Sequence, residues 1–141
     1  MKNSDYSNAL CERTYSTLSI VSDSVEPDEI SKILSIAPTS SKVKGEMFKS
    51  IKVEKNGWYL SSENELSSTN TCDHIDWLFD KLKNKEDVVK ELQSKGCRVA
   101  IGSFWLSKNG RGGPILETKQ ILELAKFNIP IGWDVSFEEV T

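Results

Sequence analysis

The clearest apolar pattern in the chain lies at residues 98–106, where a predicted strand is apolar on both sides. One face of this strand would carry Val99, Ile101 and Trp105, and the other would carry Ala100, Phe104 and Leu106. A strand of this kind is normally covered on both faces or lies in the middle of a sheet. We therefore build the predicted fold around this strand.

The remaining patterns predict the order strand, helix, strand, strand, helix, strand, helix, strand. The strands are predicted at 14–22, 51–55, 58–62, 98–106 and 131–137, and the helices begin at Pro27, near Thr71 and near Thr118. Asn56-Gly57 is typical of a two-residue hairpin turn, so the second and third strands are predicted to form a hairpin around it. Lys83-Asn84-Lys85 is a predicted break in the second helical region, and Gly96 is predicted to end that region.

This order of elements predicts an α+β fold with one mainly antiparallel sheet of about five strands and helices chiefly on one face. The first six elements follow the ferredoxin-like sequence βαββαβ. The last helix and strand would add beside strand 98–106 by a right-handed crossover, which makes that strand internal. We expect residues 1–13 to be a flexible tail and residues 14–141 to form a single domain.

Composition and charge narrow the class of protein. The 141 residues fit one domain, and the net charge of −3 gives no basic face of the kind that nucleic-acid-binding proteins carry. Three cysteines without a Cys-x-x-Cys pair predict free thiols in a reducing compartment and no zinc site. No signal peptide or membrane span is apparent. We expect a cytoplasmic protein, a monomer or a homodimer, with no cofactor, no metal, no nucleic-acid partner and no membrane partner.

Short motifs spread over the chain resemble a known family. They are Ile36-Ala-Pro-Thr39 with Lys44-Gly45, Gly57-Trp58 ahead of His74-Ile-Asp-Trp-Leu78, and Gly112-Gly113 before Leu116. Together with the last helix and strand, they resemble the bacterial domain of unknown function family 4279 over roughly residues 14–137. The resemblance implies a small bacterial protein and no established chemistry. Small stand-alone bacterial domains of this sort are sometimes immunity proteins that neutralise toxins, which is an analogy and not a match of motifs.

His74 is the candidate for chemistry, because any Ser-His-Asp or Cys-His arrangement would have to use the single histidine. Cys72 lies two positions earlier, which on a helix points in another direction. A structural or surface histidine near a helix N-terminus is the interpretation we favour over a catalytic one. No pair of carboxylates for acid–base catalysis can be assigned, and the acidic edge made by Asp73, Asp76 and Asp80 is predicted to be solvated.

Two loops are candidates for anion binding. The glycines around Arg111, in residues 109–114, would let backbone N–H groups converge on an anion, although the loop lacks the lysine and hydroxyl of a P-loop. The loop at residues 38–45 offers hydroxyls together with Lys42 and Lys44. For both loops an ordinary solvated turn is the interpretation we favour.

Tryptophans supply the remaining candidates. Trp58, Trp105 and Trp133 lie on strand patterns, where core packing is the default. Trp77 lies beside the apolar stripe of its helix, and if exposed it would be an interface anchor. The candidate residues for binding a ligand or partner are therefore Trp77, Arg111, His74, Lys42, Lys44 and Trp58.

Three functions follow from these candidates. The leading hypothesis is a non-enzymatic protein-binding module, with an immunity-type role as one version. The alternative is a regulator that binds a small ligand or anion through the two loops. The third is a hydrolase or transferase that uses His74, which requires that residue to lie in a concave pocket with a nucleophile in reach.

Overall fold

The computed structural model describes residues 3–137, with side chains from residue 5 onwards. Five helices and seven strands follow one another in these residues. They are α1 (Asn3–Ala9), β1 (Cys11–Ser22), α2 (Pro27–Leu34), β2 (Ser40–Lys42), β3 (Met47–Phe48), β4 (Ile51–Lys52), β5 (Asn56–Ser61), α3 (Thr71–Lys81), α4 (Glu86–Ser94), β6 (Arg98–Ser107), α5 (Thr118–Lys126) and β7 (Ile131–Ser136).

The main sheet has five strands in the order β2-β5-β1-β6-β7. β1 is antiparallel to both β5 and β6, while β7 is parallel to β6 and reaches it through α5. The predicted α+β class with a mainly antiparallel five-stranded sheet is confirmed. β6 lies between β1 and β7, so the strand that is apolar on both faces is internal, as its pattern required.

The core lies between the sheet and helices α2 to α5. Alternate residues of the two central strands face it, because successive side chains of a strand point to opposite sides. Leu18 and Ile20 of β1 pair with Ile101 and Val99 of β6, and all four are buried. Helices contribute Ile30, Leu34, Ile75, Leu78, Leu82, Val89, Leu92 and Leu124 to the same cluster.

The opposite face of the sheet, which we call the open face, is less buried. Tyr15 of β1 and Phe104 of β6 stack there with their ring centroids 5.2 Å apart. The Arg13 guanidinium lies 5.2 Å from the Tyr15 ring centroid, and it also forms an ion pair with Glu63. Stacked rings beneath a cation explain how half-buried aromatic residues are accommodated on this face.

Helix boundaries follow the predicted signals. Pro27 is at the first position of α2. The Asn70 side chain accepts a hydrogen bond from the backbone N–H of Cys72 and caps α3. The predicted break between the second and third helical segments is confirmed, since α3 ends at Lys81 and α4 begins at Glu86. Asn84 adopts φ = 62° in this break, a left-handed conformation that asparagine tolerates better than most residues.

The predicted Asn56-Gly57 turn is wrong. Both residues are buried within β5 and pair with Ser22 and Val21 of β1. Asn56 is used because its Oδ1 accepts the backbone N–H of Lys44 at 2.8 Å. A Cβ at position 57 would lie 2.3 Å from the Tyr59 hydroxyl oxygen, so glycine lets the Tyr59 ring pack against the backbone here, and the Asn-Gly pair does not form a turn.

The hairpin is formed instead by β3 and β4 as a separate two-stranded unit. Its turn residues Lys49 and Ser50 both have positive φ, 51° and 66°. Two positive φ values are typical of a type I′ turn. The backbone twist of this turn matches the right-handed twist of the two strands, so the turn suits a hairpin even without glycine. We call residues 47–52 the β3–β4 hairpin.

The N-terminal segment also differs from the sequence prediction of a tail over residues 1–13. Residues 3–9 form α1, and β1 begins at Cys11, three residues earlier than predicted. Two contacts hold this segment against the loop after β6. The Ser7 hydroxyl donates to the Gly113 carbonyl, and the Lys108 N–H donates to the Leu10 carbonyl at 2.8 Å. Such long-range contacts leave no periodic signal in a short polar segment.

Candidate functional site

Trp77 lies half-buried on α3, between two adjoining cavities. The first is about 630 Å³ and has an apolar wall made by the segment after α2, including Ile36, Ala37 and Pro38. The second is about 600 Å³ and runs along the loop before α3. Because Trp77, Glu65 and Asp80 line both cavities, we treat the two as one feature and call it the Trp77 groove.

Four acidic side chains line the groove together with Lys81 and Lys85, and the four carboxylates differ in their contacts. Asp76 accepts a hydrogen bond from Gln120 at 2.8 Å, and the Ser68 hydroxyl donates to Asp73 at 2.6 Å. These two carboxylates therefore stabilise the fold. Among the residues that the structure describes, the side chains of Glu65 and Asp80 have no hydrogen bond and no ion pair. Both are exposed, and their negative charge is available to a ligand.

The Trp77 ring itself already accepts a cation. The Lys81 ammonium nitrogen lies 5.2 Å from the ring centroid, within the range of a cation–π contact. Lys81 is an exposed, flexible side chain one turn further along α3, so a cation on another molecule can replace it. The groove therefore combines an aromatic face, two unpaired carboxylates and an apolar wall.

His74 is fully buried in a closed network of polar groups. Its Nδ1 lies 2.6 Å from the Ser62 hydroxyl oxygen, and its Nε2 lies 2.7 Å from the Ser68 carbonyl oxygen. Because a carbonyl only accepts, the Nε2–H donates to it, and Nδ1 is then free to accept the Ser62 hydroxyl. The Ser62 oxygen also accepts the backbone N–H of Ser16 at 3.0 Å.

This network joins α3 to the sheet and does not expose a nucleophile. Ser62 and His74 are each 0 % exposed. The Ser16 hydroxyl continues the network to the Ser103 hydroxyl of β6 at 2.6 Å. A serine that attacks a substrate needs open space beside its oxygen, and the pair here is enclosed by the protein. The Ser62–His74 contact therefore satisfies buried polar groups and fixes the position of α3.

The glycine loop around Arg111 is closed onto a side chain of its own. The Ser107 hydroxyl accepts the Arg111 N–H at 2.9 Å and donates to the Arg111 carbonyl at 2.7 Å. The Asn109 N–H also points to this oxygen at 3.3 Å. These N–H groups are the ones that an anion would need, whereas the Arg111 side chain is exposed.

The loop at residues 38–45 likewise uses its polar groups within the fold. The Thr39 hydroxyl accepts the Ser61 N–H at 2.9 Å, and Ser40–Lys42 form the edge strand β2. The Lys44 ammonium donates to the Asp23 carbonyl at 3.3 Å. The Lys42 ammonium instead lies 4.5 Å from the Phe48 ring centroid, so the two lysines have different surroundings.

Trp58 lies in the core and not at a surface. Its side chain is fully buried, and its indole N–H donates to the Ser31 hydroxyl at 3.0 Å. The six candidate residues are therefore distributed over the molecule. The structure places Trp77 in a groove, His74 and Trp58 in the interior, Lys42 and Lys44 near the β2 edge, and Arg111 in a separate loop.

Comparison with known proteins identifies a family for this chain. Residues 12–138 match the family described as domain of unknown function DUF4279. The chain belongs to this family. Neither the curated proteins nor the solved structures that were searched contain a match. Membership in the DUF4279 family agrees with the resemblance noted in the sequence. Because the family description gives no function, the function is inferred from the structure.

Three further structural findings concern membrane spans, metal ligands and cysteines in this DUF4279 protein. Within residues 3–137 no helix has the length and apolar character needed to cross a membrane. In the same described residues, no three histidine, cysteine or acidic side chains lie close enough together to hold a metal ion. Its three cysteines, Cys11, Cys72 and Cys97, are buried free thiols, and burial raises the pKa of each above the ordinary value.

Sequence reasoning missed an exposed apolar cluster of the DUF4279 protein, which lies on the β3–β4 hairpin. Met47, Phe48 and Ile51 are exposed there. The hairpin predicted around Asn56-Gly57 made Ile51 the first residue of a strand in the main sheet, so this exposed cluster was not predicted. The available signal was the density of lysines between residues 42 and 55, which is unusual for a strand that pairs inside a sheet.

Proposed function

We propose that this DUF4279 protein is a non-enzymatic binding module that takes a basic segment of a partner protein in the Trp77 groove. The observation that carries the proposal is that two carboxylates without an ion pair, Glu65 and Asp80, line the same groove as a half-buried tryptophan. Aromatic anchors in partly enclosed pockets dominate protein interfaces. An immunity-type role, in which the partner is a toxin, is one version of this proposal.

The charge and shape of the groove set the chemistry of the partner. A lysine or arginine side chain can lie over the Trp77 ring and contact the two carboxylates, as the Lys81 ammonium already does in part. The wall formed by Ile36, Pro38 and Leu60 suits an aliphatic neighbour of that cation. The expected ligand is therefore a peptide segment in which a basic residue stands next to apolar ones.

A peptide-display selection tests this function without knowing the partner. A random peptide library is selected against the wild-type chain, and against a Glu65→Gln/Asp80→Asn variant whose side chains keep their size. The matched control is Asp87→Asn/Glu91→Gln, which makes the same change of charge at two exposed residues of α4.

The expected result is enrichment of peptides with lysine or arginine beside apolar residues on the wild type and on the α4 control. The Glu65/Asp80 variant should lose this enrichment. Trp77→Ala should lose it as well, with circular dichroism used to show that the variant is folded. Equal selection by the wild type and by the Glu65/Asp80 variant, or enrichment without any basic residue, would overturn the proposal.

A further inference from the structure

The β3–β4 hairpin exposes three large apolar side chains outside the main sheet. Met47, Phe48 and Ile51 are 66, 46 and 72 % exposed, respectively. The hairpin forms its own two-stranded sheet and continues through hydrogen bonds between Gly45, Glu46 and Val53. Several large exposed apolar side chains on one small unit are typical of an interaction site.

The apolar side chains lie on both faces of this hairpin. Phe48 pairs directly with Ile51, and Met47 pairs with Lys52. Cross-strand partners share a face and successive residues alternate, so Phe48 and Ile51 lie on one face and Met47 lies on the other. A rigid protein surface would cover one of these faces. A lipid interface surrounds an inserted hairpin and buries both.

Lysines accompany these apolar residues. Lys42 and Lys49 hold their ammonium nitrogens 4.5 and 5.4 Å from the Phe48 ring centroid. Together with Lys52, they line a shallow cavity of about 330 Å³ with Phe48 and Ile51. Lysine stems of this kind pack along apolar surface and extend their charges toward polar headgroups.

The charge of the hairpin region differs from that of the remaining chain. Residues 42–55 contain five lysines and two glutamates, a net charge of +3 within a chain of −3, so the other residues carry −6. Because the positive charge is concentrated in the hairpin region, an anionic surface would attract this region and repel the remaining, acidic part of the chain. The segment contains no arginine, whereas protein interfaces are enriched in arginine and depleted in lysine. Clustered lysines beside apolar residues are typical of binding to anionic lipid.

We propose that the β3–β4 hairpin binds the surface of anionic lipid membranes, with Phe48, Ile51 and Met47 entering the interface and the lysines contacting lipid phosphates. This inference goes beyond the proposed function and uses none of the groove residues. The sequence expectation of no membrane partner rested on the lack of a spanning segment, and the contact proposed here is confined to the surface.

Vesicle co-sedimentation of the full chain tests the proposal. One set of vesicles contains phosphatidylcholine alone, and the other contains equal parts of phosphatidylcholine and phosphatidylglycerol. We expect binding only to the mixed vesicles, and we expect it to weaken as salt shortens the Debye length. Each lysine near an anionic surface contributes about fivefold to the partition coefficient, so Lys49→Gln/Lys52→Gln should weaken binding by about thirtyfold.

Matched variants separate the hairpin from general surface effects. Phe48→Ser/Ile51→Ser should abolish binding, while Ile121→Ser/Leu122→Ser on α5 removes equally exposed apolar groups and should leave it unchanged. Lys83→Gln/Lys90→Gln is the charge control. Hairpin variants that sediment like the wild type, or a wild type that binds neither vesicle, would overturn the proposal. Retention of acidic peptides by the hairpin without vesicle binding would also overturn it and would assign the hairpin to a protein partner.

Discussion

His74 shows how a reactive residue type can serve structure alone. It links the Ser62 hydroxyl to the Ser68 carbonyl inside the protein, and both of its ring nitrogens are occupied. A buried polar group costs free energy unless it is paired, so removing one partner leaves the others unsatisfied. The histidine therefore contributes to the stability of the fold.

His74→Ala should lower the free energy of unfolding by about 2–4 kcal/mol, because it leaves a cavity and two unsatisfied polar groups. Urea denaturation measures this change. Lys83→Ala, at an exposed position, is the control and should change stability by less than about 0.5 kcal/mol. A His74→Ala protein with wild-type stability would contradict the structural role assigned to this residue.

Because its three cysteines are buried, we expect the free energy of unfolding of the protein to fall at alkaline pH. Burial raises the pKa of the Cys11, Cys72 and Cys97 thiols in the folded state, so the unfolded chain releases these protons at a lower pH. Their contribution to stability is complete below the ordinary thiol pKa of about 8.5 and is lost as the pH rises through the raised values. Urea denaturation from neutral to alkaline pH measures the loss.

A thiol reagent tests the same burial directly. Native protein at neutral pH should react slowly with Ellman's reagent at all three cysteines, and unfolded protein should react rapidly. Rapid reaction of one thiol in the native state would show that this cysteine is accessible and would contradict the burial described for it.

At the scale of elements, the loop after β6 depends on Gly112 more than on its other two glycines. Gly112 has φ = +87°, and a Cβ there would lie 3.0 Å from Leu10 Cδ1 and 3.2 Å from Trp105 Cη2. Gly110 has φ = +78° with open space around it, and Gly113 has open space and no positive φ. A side chain would meet both an unfavourable φ and close neighbours at position 112, an unfavourable φ alone at position 110, and neither at position 113.

Substituting each glycine with alanine should therefore give a graded series. Gly112→Ala should cost about 2–3 kcal/mol, Gly110→Ala about 1 kcal/mol, and Gly113→Ala should stay within about 0.5 kcal/mol. Thermal or urea unfolding of the three variants measures the order. A Gly113→Ala cost equal to that of Gly112→Ala would contradict this account of the loop.

The elements that could be predicted from sequence are those with long, regular signals. β6 was predicted as a strand that could lie inside the sheet because its apolar residues occupy both faces, and α3 was predicted to begin near Thr71 from its apolar stripe. The Asn56-Gly57 prediction failed because both residues make tertiary contacts inside β5. Asn56 accepts the Lys44 N–H, and Gly57 leaves room for the Tyr59 ring. Local sequence does not distinguish a turn from such tertiary contacts.

The candidate site was predictable only in part for the same reason. Trp77 lies at the edge of a helical stripe, so partial exposure could be expected from sequence. Glu65 and Asp80 line the same groove because the loop before α3 folds back onto the helix, and no local pattern encodes this placement. The exposed β3–β4 hairpin was missed because its turn residues, Lys49 and Ser50, carry no glycine or asparagine signal.

At the scale of the whole molecule, charge is arranged with opposite signs in two regions. The Trp77 groove presents unpaired carboxylates, while the β3–β4 hairpin region carries a net charge of +3. Complementary charge steers association and is weakened by salt. The two proposed contacts should therefore respond to opposite ligand charges, and variants of one region should leave binding at the other unchanged.

The most direct test of the account is the affinity of the wild-type chain for a lysine-containing peptide from the display selection. We expect Glu65→Gln/Asp80→Asn to weaken binding by at least about tenfold, or about 1.4 kcal/mol, and added salt to weaken wild-type binding. The Asp87→Asn/Glu91→Gln control should bind as the wild type does. Equal affinity of the wild type and the Glu65/Asp80 variant, independent of salt, would contradict binding in the Trp77 groove.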